Sequence, residues 1–365
     1  MHARLLFPLL LLATPALAGP VDTSAGRLQI TPVARGFDEP WAIAFLPDGS
    51  FLVTERDGRL TLVADGRGAG VSGLPGVAVQ GQGGLLDVMV PRDFAETREV
   101  WLAYSMQAAG GVATAAGKGR LSQDGQRLEG FAKVFLGDGA GGGRHFGARL
   151  VEATDGTVFL TTGDRGTGPE GLAAQDPAQS LGKIIHLSRD GSPATLLDGW
   201  RAGVFSRGHR NLQGAALDLS GRLLTVEHGA QGGDELNAPQ AGLNYGWPVI
   251  TYGENYGGGR IGIGTAQEGM EQPLHYWDPS IAPSGLMVYS GTLVPEWKGD
   301  IFFGSLNSDF LGRLDPDTPA ATGYAEERIA APETGRVRDV VEAPDGSIWF
   351  LSVHDGTVYR LAPGE

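Results

Sequence analysis

The 365-residue chain has no cysteine, and its 42 acidic against 28 basic residues give a formal net charge of −14. No disulfide framework and no thiolate chemistry are open to it, and so acidic a molecule excludes a nucleic-acid partner, which needs a basic face. Any anion it binds must be held by arginines gathered locally against the field of the whole molecule.

The chain opens MHARLLFPLLLLATPALAGP. One basic residue, Arg4, precedes an apolar run broken by Pro8, and Ala16-Leu17-Ala18 has the small-x-small pattern of a signal-peptidase site. Residues 1–18 are expected to be a secretory signal, too short to span a membrane. Residues 19–365 are then the mature protein, periplasmic or secreted, with no membrane span.

Beyond this segment, glycine dominates, at 59 residues. The glycines punctuate short β-branched and aromatic runs, the pattern of an all-β fold with many tight turns. One unit recurs along the chain: "PDGSFLVTERDGRLTLV" from Pro47, "REVWLAYS" from Arg98, "ATDGTVFLTTGDRG" from Ala153, "LDLSGRLLTVEHG" from Leu217, "WKGDIFFGSLNSDFLGRL" from Trp297 and "APDGSIWFLSVHDGTVYRL" from Ala343. Asp57-Gly58 and Asp355-Gly356 add hairpin turns, where glycine supplies the positive φ. Between them, "AQDPAQSLGKII" is the nearest approach to a helix, and its proline and glycine limit it to about a turn. Six copies of a small twisted sheet predict a six-bladed β-propeller in a single domain, residues 19–365. A set of β-sandwich domains would not need one unit recurring along the whole chain.

The polar loops lie next to these strands: "QGQGGLLDV" from Gln80, "GRHFGARL" from Gly143, "SRGHRNLQG" from Ser206, "EHGAQGGDELN" from Glu227 and "GRVRDVVEAPDG" from Gly335. Comparable positions on different blades converge on the axis of a ring. A site built there gathers Gln82, His145, Arg210, Asn211, Arg336 and Arg338. Three arginines on an acidic chain imply an anion with several carboxylates, which forked guanidinium groups grip well. Taken singly these signals are weak: a histidine after glycines is usually a plain loop residue, and Arg336-Val337-Arg338 is also the alternation of a solvated strand face. "GDGAGG" from Gly137 matches a dinucleotide fingerprint only in letters, because a strand rather than a helix follows.

The ordered set "GQGGLLDV", "HFGARL…GDRG", "GHRNLQG", "EHG…GGDELN…NYGWP", "APSGL" and "RVRD" resembles the soluble PQQ-dependent sugar dehydrogenases, in wording closer to their aldose sugar dehydrogenase branch than to the glucose enzyme. The resemblance covers nearly the whole mature chain. It implies pyrroloquinoline quinone (PQQ) and calcium over the mouth of the ring, and oxidation of aldoses at C1 to lactones by hydride transfer to the quinone. His145 would then be the general base. Arg210 and Asn211 would lie at the quinone end, with Arg210 in the catalytic set. Gln82 would bond to cofactor or sugar, and Arg336 and Arg338 would pair with carboxylates. The carbonyls of Gly229 and Ala230 would ligate a calcium ion, Glu235 and the Tyr245 carbonyl would belong to a second, structural calcium site, and Trp277 would belong to the substrate wall. Two departures stand out: Asn307 replaces a family lysine that contacts the cofactor, and Arg144 replaces an aspartate that touches glucose. The expected partners are a small sugar and a separate electron carrier, since the chain has no haem motif; the protein is expected to be a monomer or homodimer. Two other readings are a calcium-dependent lactonase, whose sites use acidic side chains rather than these arginines, and a binding propeller that has lost its cofactor, for which Asn307 is the argument.

Overall fold

The computed structural model describes residues 19–167 and 172–364; the expected signal segment, residues 1–18, lies outside them. The described residues form six antiparallel sheets arranged as a six-bladed propeller, five of four strands and one of five. The innermost strands are Pro40–Phe45, Leu85–Met89, Gly147–Glu152, Leu212–Leu217, Pro283–Val288 and Val337–Glu342. Each packs against the next around the ring, and the last packs against the first. The sixth blade is completed from the other end of the chain: Gly26–Arg35 pairs with the C-terminal strand Thr357–Pro363. Among the described residues, the one α-helix is the four-residue Phe94–Thr97, and no helix is long and apolar enough to cross a membrane.

Each repeat seen in the sequence is the second strand of a blade. Phe51–Glu55, Val158–Thr162, Leu223–Glu227 and Ile301–Ser305 are buried at every residue. Both their faces are covered by neighbouring blades, so they read as continuous apolar runs rather than alternating ones. The Asp-Gly-Ser/Thr stretches are hairpin turns with a physical device. Asp48 Oδ1 accepts the Ser50 amide at 3.0 Å and its hydroxyl at 2.6 Å, and Asp155, Asp218 and Asp345 repeat the arrangement in three further blades. Such local bonds favour a turn over continued strand. The expected second hairpins are present, with Gly58 at φ +105° and Gly356 at φ +64°.

Every innermost strand carries a one-residue irregularity near its start. The ladder slips between Pro40 and Ala42, Leu85 and Val88, Gly147 and Leu150, Leu212 and Gly214, Pro283 and Leu286, and Val337 and Asp339. Bulges of this kind re-aim side chains. Here Trp41, Leu86, Gln213 and Arg338 fall in these irregularities, and all four line the axial cleft.

Candidate active site

The loops that enter the first strands and leave the second strands surround a cleft of about 610 Å³ at one end of the axis. All six blades contribute to its lining. Gln82, Asn211, Gly229, Ala230, Arg336 and Arg338 meet there as expected. Arg338 donates to Gln213 Oε1 at 2.8 Å. Its enclosure, with Arg149 and Arg336 nearby, pushes its guanidinium down to about 9. Such crowding of cations favours any anion that enters.

His145 is buried at the edge of this cleft, beside the lining residues Phe146 and Gly147. It adopts a left-handed backbone, φ +55°, a strained conformation held by its surroundings. Its amide donates to Gln82 Oε1 at 2.7 Å, so Gln82 anchors the histidine loop as well as lining the cleft. The glycines around it serve chain against chain. A side chain on Gly81 would strike the Gly143 carbonyl at 2.0 Å, and that carbonyl accepts the Gln82 amide at 2.7 Å.

The His145 ring is set by Asp164, 2.6 Å from Nδ1. Burial alone would push the Asp164 carboxyl up, but the bonds from His145 and Gly166 and the charge of Arg210 bring it below its usual range. A carboxylate only accepts, so Nδ1 carries the hydrogen and Nε2 is left as the basic nitrogen. Burial first, then Arg210 and Arg144, lower the imidazole below its ordinary value against the pull of Asp164. The result is a neutral, oriented base. Asp164 belongs to the "GDRG" stretch, whose spacing gave no hint of this pairing. Sequence reasoning also missed His228, which lines the cleft with Nε2 2.8 Å from the Pro283 carbonyl, and Arg56, paired with Glu39 on the rim.

Arg210 lies behind the cleft. Its Nη1 donates to the His228 carbonyl at 3.2 Å, its guanidinium lies 5.1 Å from the centre of the Trp247 ring, and its buried Nε has no hydrogen-bond partner among the described residues. It shares a small second cavity with Glu227, Gly229, Glu235 and Tyr245. Buried Asp234 clamps the Gly229 loop, accepting the Gly229 amide at 2.7 Å and those of Ile281 and Ala282 at 2.8 Å. Glu235 stands directly opposite Glu227 across two strands; burial and that neighbour push it up to about 8. Among the described residues, no group of three or more acidic or histidine side chains converges on a metal position. Glu227 and Glu235 give this cavity carboxyl oxygens, the donor type that a hard cation takes.

Trp277 does not join the cleft. It ends the outermost strand of the fourth blade, buried against His275 and Phe303, with its indole N–H 3.1 Å from Glu326. Pro279 and Ser280, just beyond it, do line the cleft, as do Asn307 and the exposed Tyr256.

Residues 37–360 match the Glucose / Sorbosone dehydrogenase family. The chain is 38% identical to the aldose sugar dehydrogenase YliI of Escherichia coli K12, with 100% of each chain covered. It is similar in structure to the apo form of the soluble aldose sugar dehydrogenase of Escherichia coli, with TM-score 0.86, 38% identity, and 92% and 100% of the two chains covered. It is also similar to the PQQ-bound aldose sugar dehydrogenase of Streptomyces coelicolor, with TM-score 0.75, 27% identity, and 94% and 99% covered.

Proposed function

The chain belongs to the glucose/sorbosone dehydrogenase family, and from that premise we propose that it oxidises aldose sugars at the anomeric carbon with PQQ and calcium. It is an oxidoreductase of the PQQ-dependent sugar dehydrogenases. The observation that carries the finer reading is the His145–Asp164 pair beside an arginine-lined cleft. The residues fit a flat polyanion: Arg336 and Arg338 meet in the cleft, and among the described residues the buried Nε of Arg210 behind it has no partner. PQQ, when bound, supplies the electron-pair acceptor, and calcium a Lewis acid beside it.

The chain's own residues then divide the work. Arg336 and Arg338 bind carboxylates. The Gly229 and Ala230 carbonyls offer oxygen to the calcium beside PQQ, and Glu235 with the Tyr245 carbonyl offers it to a second, structural calcium; both suit a hard cation. Gln82 fixes the histidine loop. His145 Nε2 takes the proton of the anomeric hydroxyl, and Asp164 stabilises the imidazolium that forms. The electrons leave to a separate carrier, since the chain lacks the cysteines of a haem attachment motif. Export by way of residues 1–18 is part of the proposal.

The test is reconstitution. Apo protein is given calcium and PQQ, and dye reduction is followed with a panel of aldoses beside His145→Ala. Turnover should require both additions and fall by ~10²–10⁴ in the variant. A chain that takes up no PQQ even at high micromolar concentration would be a binding propeller; lactone hydrolysis without PQQ would make it a lactonase.

A further inference from the structure

The connection between the third and fourth strands of the fourth blade, residues 238–274, contains no strand of its own. So long a crossing inside a compact blade calls for a purpose. Its centre is pinned to the neighbouring blade. The Trp247 amide donates to the Gly208 carbonyl at 2.9 Å, Gln175 Nε2 donates to the Trp247 carbonyl at 2.7 Å, and the ring is buried with Ala174, Ala230 and Ile261.

The pinned indole meets the base. Trp247 Nε1–H donates to Asp164 Oδ2 at 2.8 Å. Asp164 Oδ1 serves His145 Nδ1 at 2.6 Å and the Gly166 amide at 2.7 Å. Among the described residues, Trp247 is the one partner of Oδ2 within hydrogen-bond distance, and Asp164 is buried. The face of the same indole lies 5.1 Å from the Arg210 guanidinium.

We propose that Trp247 is a positioning residue for the base: its indole N–H fixes Asp164, and through that carboxylate sets both the aim of His145 and the basicity of Nε2. This rests on the reading of His145 as the base. The donor shares the charge of the carboxylate with the indole. Without it, Asp164 pulls harder on Nδ1–H and the imidazolium gains stability, so Nε2 holds its proton to higher pH. The other charged or titratable groups facing His145 are Arg210, Arg144 and His228, and the substitution leaves all three in place.

The experiment follows the His145 ring nitrogens by ¹⁵N NMR in the apo chain, and separately the acid limb of kcat/KM for an aldose with PQQ and calcium. In Trp247→Phe both are expected to move up by about one pH unit. A second variant with a benzothiophene ring in place of the indole keeps the bicyclic shape, removes only the donor, and should shift alike. Gln175→Ala, which loosens the same crossing without touching the indole, should not shift. An unmoved titration in the benzothiophene variant, or an equal shift in Gln175→Ala, overturns the proposal. His145→Ala separates the two readings: full turnover there would remove His145 as the base, while the apo titration still decides whether Trp247 acts on the histidine.

Discussion

At the scale of single residues, the proposed reaction depends on one proton and a surplus of cations. A free histidine titrates near pH 6.5, and burial with Arg210 and Arg144 keeps His145 below that. Its neutral form therefore persists as pH falls, and kcat/KM should hold down to below pH 6.5 before the acid limb begins. An acid limb at or above 6.5 would contradict this. The same displacement lowers stability in acid, because the unfolded chain binds a proton that the folded one refuses. Asn307 gives a second expectation. Its Nδ2 donates to the Ser280 carbonyl at 3.3 Å on the cleft wall, where the resemblance places a lysine. Asn307→Lys should tighten PQQ binding by about tenfold, read by titrating the apo chain; an unchanged affinity would mean that the arginines already satisfy the carboxylates. His145 and Arg338 were legible because their motifs are short. The Asp164–Trp247 bond joins positions 83 apart, and no local spacing announces it.

At the scale of elements, the fourth blade holds a conflict. Glu227 and Glu235 face each other across two strands, and burial with that neighbour makes a second charge so costly that Glu235 is pushed up to about 8. Glu235→Gln should raise the melting temperature of the calcium-free chain by about 2–4 °C and reduce the rise that calcium gives. Calorimetry with and without a chelator measures both; a full calcium response in the variant would place the ion elsewhere. The blades themselves were legible in "PDGS" and its variants, since an aspartate that accepts from the second residue beyond it makes a turn using local bonds alone. Trp277 shows where such reading ends. Its neighbours Pro279 and Ser280 reach the cleft, but strand pairing turns the ring into the blade.

At the scale of the whole molecule, the ring is locked on its axis by Arg149. Its guanidinium reaches Asp87 of the second blade at 3.2 Å and Asp339 of the sixth at 2.9 Å, donates to the Gln213 carbonyl of the fourth at 2.7 Å, and lies 4.2 Å from the centre of the Trp41 ring of the first. The carboxylates in turn accept the amides of Leu150 and Ile43. Arg149→Met would leave two buried carboxylates without their counter-charge. It should cost about 3–5 kcal/mol in urea unfolding, and adding Asp87→Asn and Asp339→Asn should restore part of the loss. A loss under about 1 kcal/mol would mean that the lock is solvated.

The six slips at the starts of the inner strands carry a wider consequence. In a pleated strand, one added residue reverses which face every later side chain takes. Each inner strand therefore changes parity once against its neighbour, near its start. Beyond the slip the alternation serves packing between blades; within it, one or two side chains of each inner strand are released from the alternation. Trp41, Leu86, Gln213 and Arg338 are such released positions. The cleft floor is thus a mosaic whose pieces answer to no ladder. A lineage can exchange one of them, and with it the chemistry of the floor, while the ring that carries it stays in register.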